Sequence, residues 1–486
     1  MYLGIDIGTS GVKAMIIDAS NTILAQGSAP LSVSRPQPLW SEQDPEDWWS
    51  ATRSAVLALP QNLRQRVRAI GLSGQMHGAT VLGADDTPLR PAILWNDGRS
   101  QTQCKALKAR MPDIETVTGN LVMPGFTAPK LAWLRDHEPG LFDQIRTVLL
   151  PKDYVRLRMT GQKATDLSDA AGTSWLDVGQ RTWSSAALAA CDLDLSAMPD
   201  LFEGDATTGQ LRAECAADWG MEAVPVAAGG GDNAAGAVGV GVTDEGEALI
   251  SLGTSGVIFV ANSAFRPNPD QAVHAYCHAL PGRWHQMSVM LSAASCTDWA
   301  ARLAGLKSGA ELTALAEARG RLDGPEIFLP YLSGERTPHN NPQARGVLFG
   351  LDHDSDPARL GQAVIEGVAF GFADGLDALL NSGTDVSSLT VIGGGARSRY
   401  WGRVLSAALN RPLIYREGAD NGPAFGAAKL ARLAVGDGER SDVLAAPPIL
   451  ETIEPDAGDC EALARKRQQF SALYAALNSQ FTRSLS

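Results

Sequence analysis

Two acidic residues and three glycine-rich turns are the parts of this chain whose types and spacing could do chemistry. Asp232 sits in Gly229-Gly230-Gly231-Asp232-Asn233-Ala234-Ala235-Gly236, directly after an apolar run at 224–228. In so small-sided a loop a carboxylate is exposed to whatever binds there, and it can accept a hydroxyl proton during phosphoryl transfer. The alternative is that Asp232 caps a helix N-terminus. The turns at 8–11 and 253–256 combine bare backbone amides with the hydroxyls of Thr9, Ser10, Thr254 and Ser255, which are natural phosphate ligands. A third run, Gly393-Gly394-Gly395, opens a helix and would let a nucleotide lie against the backbone. The pattern G-x-x-x-x-G-K-[ST] is absent, which excludes an ordinary P-loop.

Two of these turns are copies of each other. Asp6-Ile7-Gly8-Thr9-Ser10-Gly11-Val12 recurs about half a chain later as Ser251-Leu252-Gly253-Thr254-Ser255-Gly256-Val257. Each copy has a short apolar run on either side, the pattern of strand, tight turn and strand. The near-halfway spacing predicts an internal duplication, with two related domains facing each other across a cleft. In the first half, 22–25 reads as a third strand. Asp44-Pro45-Glu46-Asp47 reads as a helix start with Asp44 as N-cap and Pro45 at the first helical position. Residues 69–72 read as a fourth strand. Three strands, a helix and a fourth strand open a ribonuclease-H-like unit. In the second half, 357–380 is periodic and helical, with Leu360, Val364, Val368 and Phe372 at helical spacing. A strand at 389–392, a helix at 400–409, a strand at 413–415 and a helix at 423–435 follow. No polar low-complexity linker separates the halves, so the joint near 240 is expected to be a hinge between domains 1–240 and 241–486.

The bulk numbers agree with a globular protein with a sizeable core: 486 residues, 44% apolar and 20% charged. A formal net charge of −13 argues against nucleic acid or an anionic membrane as the main partner. It leaves room for an anionic nucleotide, because a phosphate pocket needs only local donors and a metal ion. The six cysteines show no C-x-x-C spacing and read as buried, reduced thiols. The N-terminus lacks the pattern of a signal peptide, and no stretch approaches the roughly 20 apolar residues of a membrane span. The expectation is a cytoplasmic protein. His274, His278 and His285 have no convincing zinc spacing.

Several motifs, in order along the chain, resemble the FGGY carbohydrate kinases. They are Asp6 to Lys13, Gly74-Gln75-Met76-His77-Gly78, Gly229 to Gly236 and Gly393 to Ala396. Phe126-Thr127-Ala128-Pro129-Lys130-Leu131-Ala132-Trp133-Leu134 is similar to the family's first signature, and Glu366-Gly367-Val368-Ala369-Phe370 to part of the second. Leu39-Trp40-Ser41-Glu42-Gln43-Asp44-Pro45, Gln75-Met76-His77-Gly78 and Ser333-Gly334-Glu335-Arg336-Thr337-Pro338-His339 carry a closer likeness to the bacterial members that act on D-xylulose. The likeness runs from residue 1 to about 435.

The resemblance implies two actin-like α/β domains, with the sugar held by the first and MgATP by the second. It implies that Asp232 is the general base. Asp6, together with Asp232, would organise Mg²⁺ through water. Because the position matching Asp6 in the second copy is Ser251, only the first hairpin supplies a carboxylate. Met76, His77, Asp232 and Asn233 would line the sugar site. Gly8, Thr9, Ser10, Gly253, Thr254 and Ser255 would meet the phosphates, and Gly393, Gly394, Gly395 and Arg399 would lie near the adenosine. The implied partners are D-xylulose and ATP, and a homodimer is expected from likeness alone. Alternatives are a kinase for another ketose or polyol, such as ribulose or arabinitol, and an actin-like ATPase that uses no sugar. Lys13 reads as a structural cation before a phosphate clamp. Trp95-Asn96-Asp97-Gly98-Arg99 reads equally as a site loop or as a turn with an internal Asp–Arg pair.

Overall fold

The structure, a computed structural model, describes residues 1–320, 322 and 324–481; residues 482–486 of the expected second half lie outside the described residues. The first hairpin is β1 (Tyr2–Ile7) and β2 (Gly11–Ile17), followed by β3 (Ile23–Pro30), which extends further than the sequence pattern suggests. Leu3, Ile5 and Ile7 alternate with Gly4 and Asp6, and β1 lies in the middle of its sheet. Helix α1 (Pro45–Leu57) starts as expected: the Asp44 carboxylate accepts the Glu46 N–H at 2.9 Å, and Pro45 stands in the first turn. Then come β4 (Ala69–Gly74), α2 (Thr127–His137), α3 (Pro151–Thr160), β5 (Thr207–Gln210), β6 (Pro225–Ala227), the short β7 (Gly230–Gly231) and α4 (Asp232–Val240). These strands form one seven-stranded sheet, ordered β5-β6-β4-β1-β2-β3 with β7 also on β4.

The second half repeats the plan with β8 (Ala248–Leu252), β9 (Gly256–Asn262), β10 (His274–Cys277), β11 (Trp284–Met290), α5 (Ser295–Leu303), α6 (Gly309–Arg319) and α7 (Pro357–Leu380). It continues with β12 (Leu389–Ile392), α8 (Arg399–Leu409), β13 (Leu413–Arg416), α9 (Pro423–Ala434), β14 (Ile449–Ile453) and α10 (Ala457–Phe481). Its sheet runs β10-β11-β9-β8-β12-β13-β14. The runs β3-β2-β1-β4-β6 and β11-β9-β8-β12-β13 correspond strand for strand. In each, the first two junctions are antiparallel and the next two parallel. The duplication read from two short turns therefore extends over five strands. The molecule is two ribonuclease-H-like domains of the actin-like ATPase type around a central cleft.

The last helix of each copy crosses to the other sheet. Ala237 and Val240 of α4 pack with Leu249 and Phe259 of β8 and β9. Ala424, Phe425 and Ala428 of α9 pack with Tyr2, Met15 and Ala69 of the first sheet. The approach is so close that a Cβ on Gly4 or Gly71 would come within 1.9 Å of a carbonyl oxygen of α9. The two halves are thus joined by exchanged helices as well as by the short joint after Gly241. Residues beyond 435 add β14 to the sheet edge and lay α10 on the second core through Leu463 and Phe470, with a buried Lys466–Glu366 ion pair. All six cysteines are unpaired; five are buried and Cys460 is partly exposed. No helix among the described residues is long and apolar enough to cross a membrane.

Candidate active site

Asp6 lies near the end of β1, directly across from Ser73 of β4, and Asp232 is the first residue of α4. Their carboxylates are close enough to feel each other. Burial and then the charge of Asp232 push Asp6 up to about 7, with the Ser73 hydroxyl and the Lys13 ammonium pulling the other way. Asp6 Oδ1 is buried without a hydrogen-bond partner. Burial also lifts Asp232 to about 6, against hydrogen bonds from the Asn233 backbone at 2.7 Å and side chain at 2.9 Å. The helix-capping alternative for Asp232 does not match this geometry. Gly231 occupies the N-cap, and the Asp232 carboxylate accepts only from its own neighbour. Asn233 is exposed beside it.

A loop after β4 brings Met76 and His77 to the same region. A Cβ on Gly231 would meet the Met76 side chain at 3.0 Å, so Met76 packs tightly on the residue before Asp232. His77 has φ +68, a costly value for a side-chain-bearing residue, and its carbonyl is held in place by Lys130 Nζ at 2.8 Å and Thr127 Oγ1 at 3.2 Å, both on α2. Its ring Nδ1 lies 2.6 Å from the Gly172 carbonyl. Burial, then the Lys130 charge, drive its pKa down to about 3, so the imidazole is neutral. A carbonyl can only accept, so the proton is on Nδ1 and Nε2 is left as an acceptor for a ligand hydroxyl.

The two hairpin turns differ in what they offer. The Thr9 hydroxyl donates to Gln75 at 2.8 Å and accepts from Trp95 Nε1 at 3.0 Å, so it ties the turn to the first domain; Ser10 is exposed. The Gly8 N–H closes the turn onto the Gly11 carbonyl at 3.0 Å. In the second turn Thr254 and Ser255 are exposed, and the Thr254 carbonyl accepts the Ala293 N–H at 2.9 Å. Gly253 and Thr254 line a groove of about 840 Å³ together with Thr297 of α5, Gly394, Gly395 and Arg399. Gly393, at φ +89, presses on Leu252 behind them. Arg399 pairs with Glu451 at 2.5 Å and stacks 3.8 Å from the Tyr415 ring centre, which holds it at the groove rim. A groove of this size with bare glycine backbone on one wall suits a nucleoside.

The comparisons with known proteins show which family the chain is part of. The model of the FGGY family of carbohydrate kinases, N-terminal domain, matches residues 1–239, and that of its C-terminal domain matches 248–435. The chain belongs to the FGGY family of carbohydrate kinases. It is 55% identical over 480 residues to a xylulose kinase from Escherichia coli, covering 98% of this chain and 99% of that protein. It is 36% identical to a xylulose kinase from Bacillus subtilis over 89% of this chain and 88% of that one. Among solved structures, a xyloylose kinase from Brucella ovis superposes with a TM-score of 0.95 at 48% identity, covering 99% of both chains. Membership sets aside the reading as an actin-like ATPase without a sugar.

Sequence reasoning did not pick out several residues of this FGGY kinase site. Lys130 and Gly172 act on His77 from 53 and 95 residues away. A Cβ on Gly172 would come within 2.5 Å of the His77 ring, so that glycine makes the ring's seat. Phe126 packs on His77 at 4.7 Å between ring centres. From the second half, Arg336 donates to His274 at 3.1 Å, and its charge depresses both His77 and His274. Its motif was visible, but nothing in the chain order says that its charge acts on His77 of the first half. Lys13 binds the Asn421 carbonyl at 3.1 Å, a structural contact. In the 95–99 turn Arg99 pairs with Asp97 at 2.7 Å, the internal pair that its spacing suggests, while Trp95 reaches Thr9.

Proposed function

We propose that the protein transfers the γ-phosphoryl group of ATP to O5 of D-xylulose, giving D-xylulose 5-phosphate and ADP. The observation that carries the substrate is the 55% identity to a xylulose kinase along almost the whole chain. The geometry supports a mechanism. Asp232, ionised above pH 6, accepts the proton of the sugar O5 hydroxyl as that oxygen attacks phosphorus in line. The neutral His77 accepts a hydrogen bond from another sugar hydroxyl through Nε2, and Met76 and Asn233 line the same pocket. The amides and hydroxyls of Ser10, Thr254 and Ser255 and the amide of Gly253 meet the phosphates, Gly8 and Thr9 set the first turn, and Gly393, Gly394, Gly395 and Arg399 frame the adenosine.

The residues present fit Mg²⁺, a hard ion that takes oxygen ligands and keeps several waters. The unpartnered Asp6 Oδ1 and the adjacent Asp232 are the oxygens that would hold it, through water, and bound there it neutralises phosphate charge. Positioning and charge neutralisation supply most of the rate. The division into a sugar-binding half, 1–240, and an ATP-binding half, 241–486, with closure between them, belongs to the same reading. So do a cytoplasmic location, supported by six unpaired cysteines, and a homodimer. The test is ADP release with a panel of pentuloses, hexuloses and polyols. D-xylulose should give the highest kcat/KM. Ribulose or arabinitol ahead by more than tenfold overturns the substrate and leaves the kinase standing.

A further inference from the structure

A second ionic cluster lies behind Asp232 with no access to solvent. The Lys152 ammonium on α3 is 2.6, 2.8 and 3.0 Å from carboxylate oxygens of Asp153, Asp166 and Asp169. Arg156, one turn further along α3, is buried with them. Two cations face three carboxylates. Burial raises Asp169 well above the ordinary carboxylate range, against the pull of the Lys152 charge. Five buried ionisable side chains are an expensive way to fill a core, and apolar packing of the same volume is often as stable or more so. The cluster therefore calls for a purpose other than stability.

Its two arms both end on the loop that delivers Asp232. Arg156 donates to the Ala227 carbonyl at 2.8 Å and to the Ala228 carbonyl, at the end of β6. The Asp166 carboxylate accepts a hydrogen bond from the Ser168 hydroxyl. That leaves the Ser168 oxygen to accept the Gly231 N–H at 3.0 Å. Between the arms Gly229, at φ +78, is pressed so hard on β4 that a Cβ would lie 1.8 Å from the Leu72 oxygen. The 227–231 segment is thus clamped at both ends and in the middle, and the next residue is Asp232.

We propose that Ser168, oriented by the Lys152–Asp166 pair, is a positioning residue for phosphoryl transfer: it fixes the Gly231 amide and with it the direction in which Asp232 enters the cleft. This rests on Asp232 being the base. Ser168 is buried and acts through the backbone alone.

Ser168→Ala removes the acceptor and leaves the Gly231 N–H unpaired. Since a misplacement of about 1 Å costs on the order of 10²-fold, kcat at saturating D-xylulose and MgATP should fall at least about tenfold, with the KM for MgATP within about threefold. Ser406→Ala is the control. It removes a buried hydroxyl bonded to the Arg411 carbonyl at 2.8 Å in the other half and should leave kcat within about threefold. Because Ser168 acts through Asp232, Ser168→Ala should cost nothing further in the Asp232→Asn background. A Ser168→Ala enzyme within about threefold of wild-type kcat, or a loss repeated in full on top of Asp232→Asn, overturns the proposal. If Ser168→Ala does not fold, Asp166→Asn keeps the shape and weakens the grip on Ser168, while Asp153 and Asp169 still face the Lys152 ammonium. It should lower kcat severalfold at unchanged MgATP KM, and wild-type kcat overturns the proposal. A normal Asp232→Asn sinks the base reading itself; a dead Asp232→Asn beside a normal Ser168→Ala sinks only the role given to Ser168.

Discussion

The two hairpins share a five-residue core and the same place in two matching sheets, yet they present different chemistry. The first carries Asp6, half-buried, with one carboxylate oxygen short of a partner, and pushed up to about 7 by burial and then by Asp232. The second carries Ser251 at that position and leaves its turn on the wall of a nucleoside-sized groove. The Thr9 hydroxyl is committed to Gln75 and Trp95, whereas Thr254 is exposed. On the proposed function, a duplicated backbone is split between two tasks, charge handling in one copy and nucleotide holding in the other, by a single aspartate and by what each turn is tied to.

The sharpest way to break that contrast is to remove the unequal residues. Asp6→Ala should lower Mg²⁺-dependent kcat by about 10²-fold, as expected for losing charge stabilisation at a phosphoryl-transfer site. Ser251→Ala should change it by less than about threefold. Equal, mild losses in steady-state assays would make Asp6 merely structural.

The second prediction targets the other copy. A Cβ on Gly394 meets no atom within 4 Å, so Gly394→Val should fold, but its side chain projects from the bare wall of the groove. The KM for MgATP should rise about tenfold, or about 1.4 kcal/mol. Binding of D-xylulose by calorimetry should be unchanged. A raised sugar Kd with normal ATP kinetics would put the two ligands on the wrong halves.

The smallest effect concerns stability without nucleotide or metal. Asp6 has its folded pKa raised above the ordinary 3.8 to about 7. The folded chain therefore binds more protons than the unfolded one between those values, and stability falls as pH rises through them. Asp6→Asn removes that cost. Its Tm should exceed wild type by roughly 2 to 5 °C at pH 8 and approach it near pH 4, while its activity is lost. A lower Tm at pH 8 would show that the Asp6 charge is already balanced in the free protein.

Much of this contrast was legible before any coordinates. The repeated turn, the Asp44-Pro45 helix start and the periodic 357–380 helix are local signals, set by residues a few positions apart, and each lies where its pattern says. The position of Ser251 opposite Asp6 followed from aligning the two copies. What stayed hidden depends on contacts between distant segments. Lys130 and Gly172 make the seat of His77, the charge of Arg336 in the second half acts on His77 in the first, and α9 lies on the first sheet although it belongs to the second copy. The buried ion pairs behind Asp232 were illegible for a different reason. Lys152, Asp153 and Arg156 look like the polar face of an ordinary surface helix, and only the fold turns that face inward. The β10–β11 pair went unread although Pro281-Gly282, a turn dipeptide, lies between its strands.

The most direct test of the account is the behaviour of Asp232→Asn. Asparagine keeps the shape and can still hydrogen-bond the sugar, but it cannot take a proton. Losing one charged hydrogen bond of about 1.5 kcal/mol should raise the D-xylulose Kd no more than roughly tenfold by calorimetry. Sugar-dependent kcat should nevertheless fall by at least about 10²-fold. An Asp232→Asn enzyme that keeps more than about a tenth of wild-type kcat would remove Asp232 from the chemistry, since general-base catalysis is worth about 10²- to 10⁴-fold.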